Sequence, residues 1–154
     1  MTGRIAQRLA ELGLTLPQPA TAIANYVPWV VAGSLVFVSG QLPMENGVLV
    51  AKGHLGANLD KDQGRHAARL CAVNLLAQAG AAAGGLDNIR RVVRLTAYIA
   101  GTPDFTDQSA VANGASDLMV EVLGEAGRHA RVAVGVASLP LGAAVEIEGV
   151  FEIG

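Results

Sequence analysis

The sequence predicts an α+β protein of two layers, with helices covering one face of a sheet. Three observations carry this. Runs rich in Val, Ile and Phe alternate with period two, as half-buried strands do. Two other stretches place apolar residues three and four apart, as amphipathic helices do. Their order, β-β-(β)-α-β-α-β-β, lets both long helices pack on the same side of one sheet.

The first element is a short helix over residues 3–13, with Ile5, Leu9 and Leu12 at helical spacing and Gly13 as its stop. The Pro- and Ala-rich stretch LPQPATAIA follows as a connector. VPWVVAG and SLVFVSGQ then read as two strands with a turn at Gly33-Ser34. Asn46-Gly47 marks a second turn, suited to positive φ, and VLVAKG is a candidate third strand. Residues 60–83 form the strongest predicted helix. Asp60 is its N-cap, Gly84-Gly85 end it, and Ala68, Cys71, Leu75 and Ala79 share one face. In IRRVVRLTAYIA the alternation puts Val93, Leu95, Ala97 and Ile99 on one face and Arg94, Thr96 and Tyr98 on the other. A second helix starts at Thr106 or Asp107, buries Val111, Ala115, Leu118 and Val122, and closes at Gly124 or Gly127. RVAVGVAS and AVEIEGVFEI read as a closing hairpin joined by Leu139-Pro140-Leu141-Gly142.

At 154 residues the chain has the ordinary size of one domain, 1–154, with residues 1–20 as a helical extension and connector. Hydrophobic residues make up 51% but aromatic ones only 4%, so the core is expected to be Ala, Val, Leu and Ile. The net charge is −2 and the 11 Lys and Arg are scattered, which argues against a nucleic-acid partner. A single cysteine, Cys71, precludes an internal disulfide, and on an apolar helix face it reads as a buried, inert thiol. The N-terminus lacks a signal-peptide apolar core, and no run approaches the roughly 20 apolar residues of a membrane span. A cytoplasmic protein is expected. His54, His66 and His129 share no metal-ligand spacing, and GAAAGG follows a helix rather than a strand, which argues against a phosphate loop.

In the predicted hairpin, Val132, Val134, Val136, Val145 and Ile147 face the helices. Arg131, Ala133, Gly135, Ala137, Ala144, Glu146 and Glu148 take the other face. Small residues beside a few charges suit close approach of a second protein surface, so burial of this face in an oligomer is expected. Pairing Ser138 with Ala143 places Arg131 opposite Val150 and Gly135 opposite Glu146, leaving Arg131 and Glu146 about 13 Å apart on one face. Arg131 reads as a ligand anchor or as an ion-pair partner of Glu148. Glu146 reads as an acid/base or as a polar contact residue. Tyr26 lines a site or packs beside Trp29, and Asn113 lines a site or faces solvent.

Four separated segments resemble the Rid (reactive intermediate deaminase) family, also called YjgF-type or L-PSP. They are NYVPWVVAG, VFVSGQLP, DNIRRVVRLTAYIAGTPDF and HARVAVGVASLPLGAAVEIEGV, in the family's order and spanning about residues 22–153. The resemblance implies a chorismate-mutase-like two-layer fold and a homotrimer with ligand sites between subunits. It implies a deaminase that hydrolyses small carboxylated enamines and imines, such as 2-aminoacrylate, to 2-keto acids and ammonia. This is the 2-iminobutanoate/2-iminopropanoate deaminase type, which uses no cofactor and no metal. It places Arg131 as the carboxylate-binding Arg, Glu146 as the water-orienting Glu, and Tyr26, Ser39 and Asn113 as pocket residues. The backbone amide of Ala133 matches a second carboxylate contact. His129 stands where many members have Pro, and the N-terminal helix resembles a longer subgroup. A non-catalytic protein that binds a small carboxylated metabolite is the alternative. Ribonuclease action, attributed to some relatives, is disfavoured by the acidic balance.

Overall fold

A computed structural model describes residues 3–19 and 25–154. Residues 20–24 of the predicted connector lie outside the described residues.

A five-stranded mixed sheet has the order β1 (Trp29–Ala32), β2 (Leu35–Gln41), β7 (Val145–Ile153), β5 (Ile89–Ala100), β6 (Ala130–Val136), beside a separate two-stranded ribbon of β3 (Met44–Glu45) and β4 (Val48–Leu49). Strand β1 (Trp29–Ala32) turns at Gly33-Ser34 into β2 (Leu35–Gln41), the predicted hairpin, with Gly33 at φ +63°. The predicted third strand shrinks to β4 (Val48–Leu49), which pairs only with β3 (Met44–Glu45) across Asn46-Gly47. Helix α2 (Lys61–Ala83) starts where expected, for a reason visible in its first turn. The Asp60 carboxylate accepts from the Gln63 amide at 2.8 Å, and the Gln63 side chain accepts from the Asp60 amide at 2.9 Å. Gly84 ends it in the left-handed conformation, φ 75°. Strand β5 (Ile89–Ala100) leads through α3 (Gln108–Leu123) to β6 (Ala130–Val136), and β7 (Val145–Ile153) is the last of the described elements.

The core lies between the sheet and α2 and α3. Leu75, Leu76, Leu118, Met119, Ile99, Ile147 and Phe151 are its largest members. The predicted stripes of both helices are buried in it. The helices approach closely because small residues meet where they cross. A side chain on Gly114 would run into the Arg65 carbonyl, and one on Gly64 would meet Leu55 and Val111. Helix α1 (Arg4–Glu11) belongs to the same core, burying Ile5 and Leu9. Its N-terminus is capped from far along the chain: the Asp87 carboxylate accepts from the Arg4 and Ile5 amides, both at 2.9 Å.

Three expectations are corrected. The closing hairpin does not form. Strand β7 lies between β2 and β5, antiparallel to both, and β6 lies at the sheet edge, parallel to β5. Helix α3 is the reason, because a strand-helix-strand crossover delivers β6 beside β5 in parallel. Residues 139–142 therefore cross from β6 to β7 over the end of β5, with Leu141 at φ +61°.

The second correction is the phase of β6. Arg131 and Ala133 align with Leu95 and Ala97, and Gly135 with Ile99, all on the helix side. Val132 and Val134 align with Thr96 and Tyr98 on the open side, each 39% exposed. Val145 and Ile147 do face the helices. The third correction is a bulge between Val92 and Arg94, which buries Val92 in place of the predicted Val93.

Consequently the open face carries large rather than small apolar residues. Val30 and Phe37 stand at one edge and Val132 and Val134 at the other, with Arg94, Thr96, Tyr98 and Glu148 between them.

Candidate functional site

The predicted site residues gather into two groups on opposite sides of the sheet. The first surrounds Arg131. Its side chain reaches α3, where Nη1 donates to Asn113 Oδ1 at 2.7 Å and to Ser116 Oγ at 3.1 Å. Ser116 Oγ lies 2.8 Å from His129 Nε2, and His129 Nδ1 lies 2.6 Å from the Gly127 carbonyl oxygen. A carbonyl only accepts, so Nδ1 carries the imidazole proton. Nε2 then accepts from the Ser116 hydroxyl, whose lone pair accepts from Arg131. Burial holds His129 below its ordinary pKa, the Gly127 carbonyl opposing this and the Arg131 charge adding to it, so the ring favours its neutral form.

The predicted alternative, an ion pair between Arg131 and Glu148, is not formed. Glu148 sits on the open face beside Tyr98, whose phenol is pushed up by burial first and then by Glu148 and Glu146. Among the described residues no carboxylate pairs with Arg131. Both Nη1 hydrogens are used, so the Nε–Nη2 edge keeps the parallel donors that fit a planar carboxylate. Ala133 follows two residues along on the same side of β6, packed against the core, and the outer edge of its strand has no partner strand among the described residues.

The second group is Tyr26, Ser39 and Glu146, which line one cavity of about 510 Å³. A register shift between Val38 and Gln41 carries Gly40 under Glu146. A side chain at Gly40 would collide with the Glu146 carboxylate, so this glycine lets the carboxylate lie on the backbone. Ser39 holds the chain that presents Tyr26: its hydroxyl donates to the Val27 carbonyl at 2.8 Å and its amide to the Pro28 carbonyl at 2.9 Å. Tyr26 itself is 52% exposed. Met44, Ala77, Pro140 and Leu141 complete an apolar wall.

Burial raises the Glu146 pKa, with Glu148 adding to the shift. Folding thus disfavours the charged form, so the stability Glu146 contributes is present below its ordinary value of 4.5 and is lost as the pH rises through the folded value. Glu146→Gln is therefore expected to melt above the parent at pH 7 and level with it near pH 3. The carboxylate is partly exposed, so the gain should stay below about 1 kcal/mol, or about 2–4 °C. Melting curves at the two pH values check this.

The structure thus brings Arg131 and Asn113 together, and separately Tyr26, Ser39 and Glu146. It does not join the two groups. Strand β5 lies between β6 and β7, and Arg131 and Glu146 are offset by three residues in register. Their backbones are about 14 Å apart, with side chains on opposite faces. Sequence reasoning missed Ser116 and Gly40, and read His129 as a non-metal histidine standing where many members have Pro. The signal was present in part, since Asn113 and Ser116 are three apart on one face of a helix, and His129 lies two residues before Arg131 in the chain that leads into β6. Burial pushes the Cys71 thiol up, which fits the inert reading. No group of three or more His, Cys, Asp or Glu that could hold a metal occurs among the described residues.

This fold and these motifs define a member of one family. The chain belongs to the family described as "YjgF/chorismate mutase-like, putative endoribonuclease", which matches residues 6–151. The Rid family resemblance is thereby supported.

Among individual relatives, it is 49% identical to Protein TCP17 of Trypanosoma cruzi, over 99% of this chain and 96% of that one. It is 52% identical to the protein Atu1372 of Agrobacterium tumefaciens, of unknown function, with a TM-score of 0.92 over 97% of this chain and 92% of that one. It is 27% identical to E. coli TdcF, whose crystal structure holds bound serine, with a TM-score of 0.66 over 89% and 93% of the two chains. No described helix is long and apolar enough to cross a membrane.

Proposed function

We propose that the protein is a cytoplasmic enamine/imine deaminase. It acts on small carboxylated intermediates such as 2-aminoacrylate, in sites shared between the subunits of a homotrimer. Residues 1–154 act as one Rid-like unit. The observation that carries this reading is the separation of the two groups. Arg131 offers an unpaired guanidinium edge on one side of the sheet, and Glu146 offers a carboxylate with raised pKa on the other. One small substrate can meet both only if a second copy supplies one of them. The apolar open face suits burial against that copy. The serine bound to TdcF, a small amino acid with a carboxylate, fits the same ligand chemistry.

Arg131 holds the substrate carboxylate, with the Ala133 amide as a second donor and Tyr26, Ser39 and Asn113 around the pocket. 2-Aminoacrylate takes a proton at its terminal carbon and gives one up from nitrogen, becoming the imine. Glu146 orients a water molecule, whose oxygen bonds to the imine carbon while its proton passes to the carboxylate. The carboxylic acid returns that proton to the nitrogen, giving a carbinolamine; its hydroxyl proton then passes to the nitrogen as the C–N bond breaks, so that ammonia leaves and a 2-keto acid remains. RNA cleavage gains no support from a chain of net charge −2.

Light scattering at micromolar concentration should give about three times the monomer mass. The test of sharing is complementation. Arg131→Ala and Glu146→Gln are unfolded, mixed in equal amounts, refolded and assayed for 2-aminoacrylate hydrolysis. Each mixed trimer should hold one site with neither substitution. Three quarters of random trimers are mixed, so about a quarter of wild-type activity should return. No recovery from mixed trimers verified by mass spectrometry would place both residues in one chain's site. Ligand binding without any turnover in the parent would make the protein a metabolite-binding relative instead.

A further inference from the structure

We propose that His129 and Ser116 are positioning residues that set Arg131 for its ligand, by fixing which edge of the guanidinium stays free. This rests on the reading of Arg131 as the carboxylate anchor.

The relay starts at a rigid point. After α3 the chain makes one tight turn, residues 124–127, pressed against the helix: a side chain on Gly127 would strike the Met119 carbonyl. The Gly127 carbonyl is therefore held by backbone. It accepts from His129 Nδ1 at 2.6 Å, which fixes the tautomer and leaves Nε2 as an acceptor. Nε2, 2.8 Å from Ser116 Oγ, draws the hydroxyl proton toward the ring. The Ser116 lone pair is then directed at Arg131 Nη1, 3.1 Å away. Each bond fixes the direction of the next, from a rigid turn to a flexible side chain.

The charged groups around this relay bear on it little. Arg131 is the one charged side chain that the relay itself includes. Arg91, Arg128 and Glu152 border the same hollow as His129. Of these, Arg128 pairs with Glu125, and Arg91 donates to the Arg128 carbonyl. No carboxylate pairs with His129 among the described residues, which suits a neutral ring that relays direction rather than charge.

Without the His129 acceptor, the Ser116 proton is free to turn toward Arg131. Nη1 then keeps Asn113 alone, and the guanidinium is free to swing. The ligand must hold it still, so affinity falls although Arg131 is intact. The test measures binding of 2-ketobutyrate by calorimetry at pH 8 for the parent, Arg131→Ala, Ser116→Ala, His129→Phe, His129→Gln and the Ser116→Ala/His129→Phe double variant. Loss of one neutral hydrogen bond corresponds to about a threefold to tenfold loss of affinity, expected for each of Ser116→Ala and His129→Phe. The double variant should be no weaker than the weaker single one, because the two act in series. His129→Gln, which retains an acceptor for Ser116, should recover most of the loss. Long-range ¹H–¹⁵N spectra should show His129 protonated on Nδ1.

Multiplying losses in the double variant would overturn the proposal, as would a proton on Nε2 in the parent. If Arg131→Ala binds as the parent does, the anchor reading itself fails. If Arg131→Ala loses binding while Ser116→Ala and His129→Phe retain it, the anchor stands and the positioning role falls. Should His129→Phe not fold, Ser116→Ala and the spectra decide alone.

Discussion

Arg131→Ala is expected to weaken binding of 2-ketobutyrate about tenfold to hundredfold, with oligomer mass unchanged. A charged hydrogen bond to a carboxylate contributes roughly 1.5–3 kcal/mol, and the free Nε–Nη2 edge supplies two in parallel. The fold should lose little. The side chain lies on the edge strand, forms no ion pair among the described residues, and bonds there to the neutral Asn113 and Ser116. Calorimetry on both proteins checks the affinity, and light scattering the assembly. Equal affinities would remove Arg131 from the site.

Gly114→Ala is expected to destabilise the fold strongly with a single added methyl. The added carbon would meet the Arg65 carbonyl, which is helix backbone and cannot rotate away. Helices α2 and α3 must separate, loosening the layer that buries Leu75, Leu118 and Met119. Overpacking of this kind costs about 1–3 kcal/mol, so melting should fall by roughly 2–12 °C. Ser109→Ala, an exposed change on the same helix, is the comparison. A Gly114→Ala protein that melts with it would refute the close crossing.

Much of the fold was legible because the signals were local. The Asp60/Gln63 box, the Gly84 stop, the Gly33-Ser34 turn and the stripe of Ala68, Cys71, Leu75 and Ala79 each act within a few residues. The mispaired strands show where local reading ends. RVAVGVAS and AVEIEGVFEI are neighbours in sequence, yet their partners are set by the α3 crossover and by β2, far away. Placing β6 beside β5 also reversed its phase, so Arg131 turned to α3 rather than to the open face. The residues named for the site came from resemblance rather than from local pattern, and the structure groups them in two clusters. The relay through Ser116 and His129 was legible only within each segment, since sequence spacing does not connect α3 to the residues that lead into β6.

The position of β7 has a consequence for how the protein comes into being. The strand at the centre of the sheet is made after every other described element, and β2 and β5 cannot meet without it. Until then the nascent chain offers a hairpin, three α-helices and a parallel strand pair with no common middle. Helix α1, eight residues long and the first of these elements to be made, is too short to persist alone and waits for Asp87 to cap it. Such non-local closure is slow and leaves strand edges open meanwhile. The protein's vulnerable moment is therefore its synthesis, when the valine-rich edges of β2 and β5 are exposed to other nascent copies before their own partner exists.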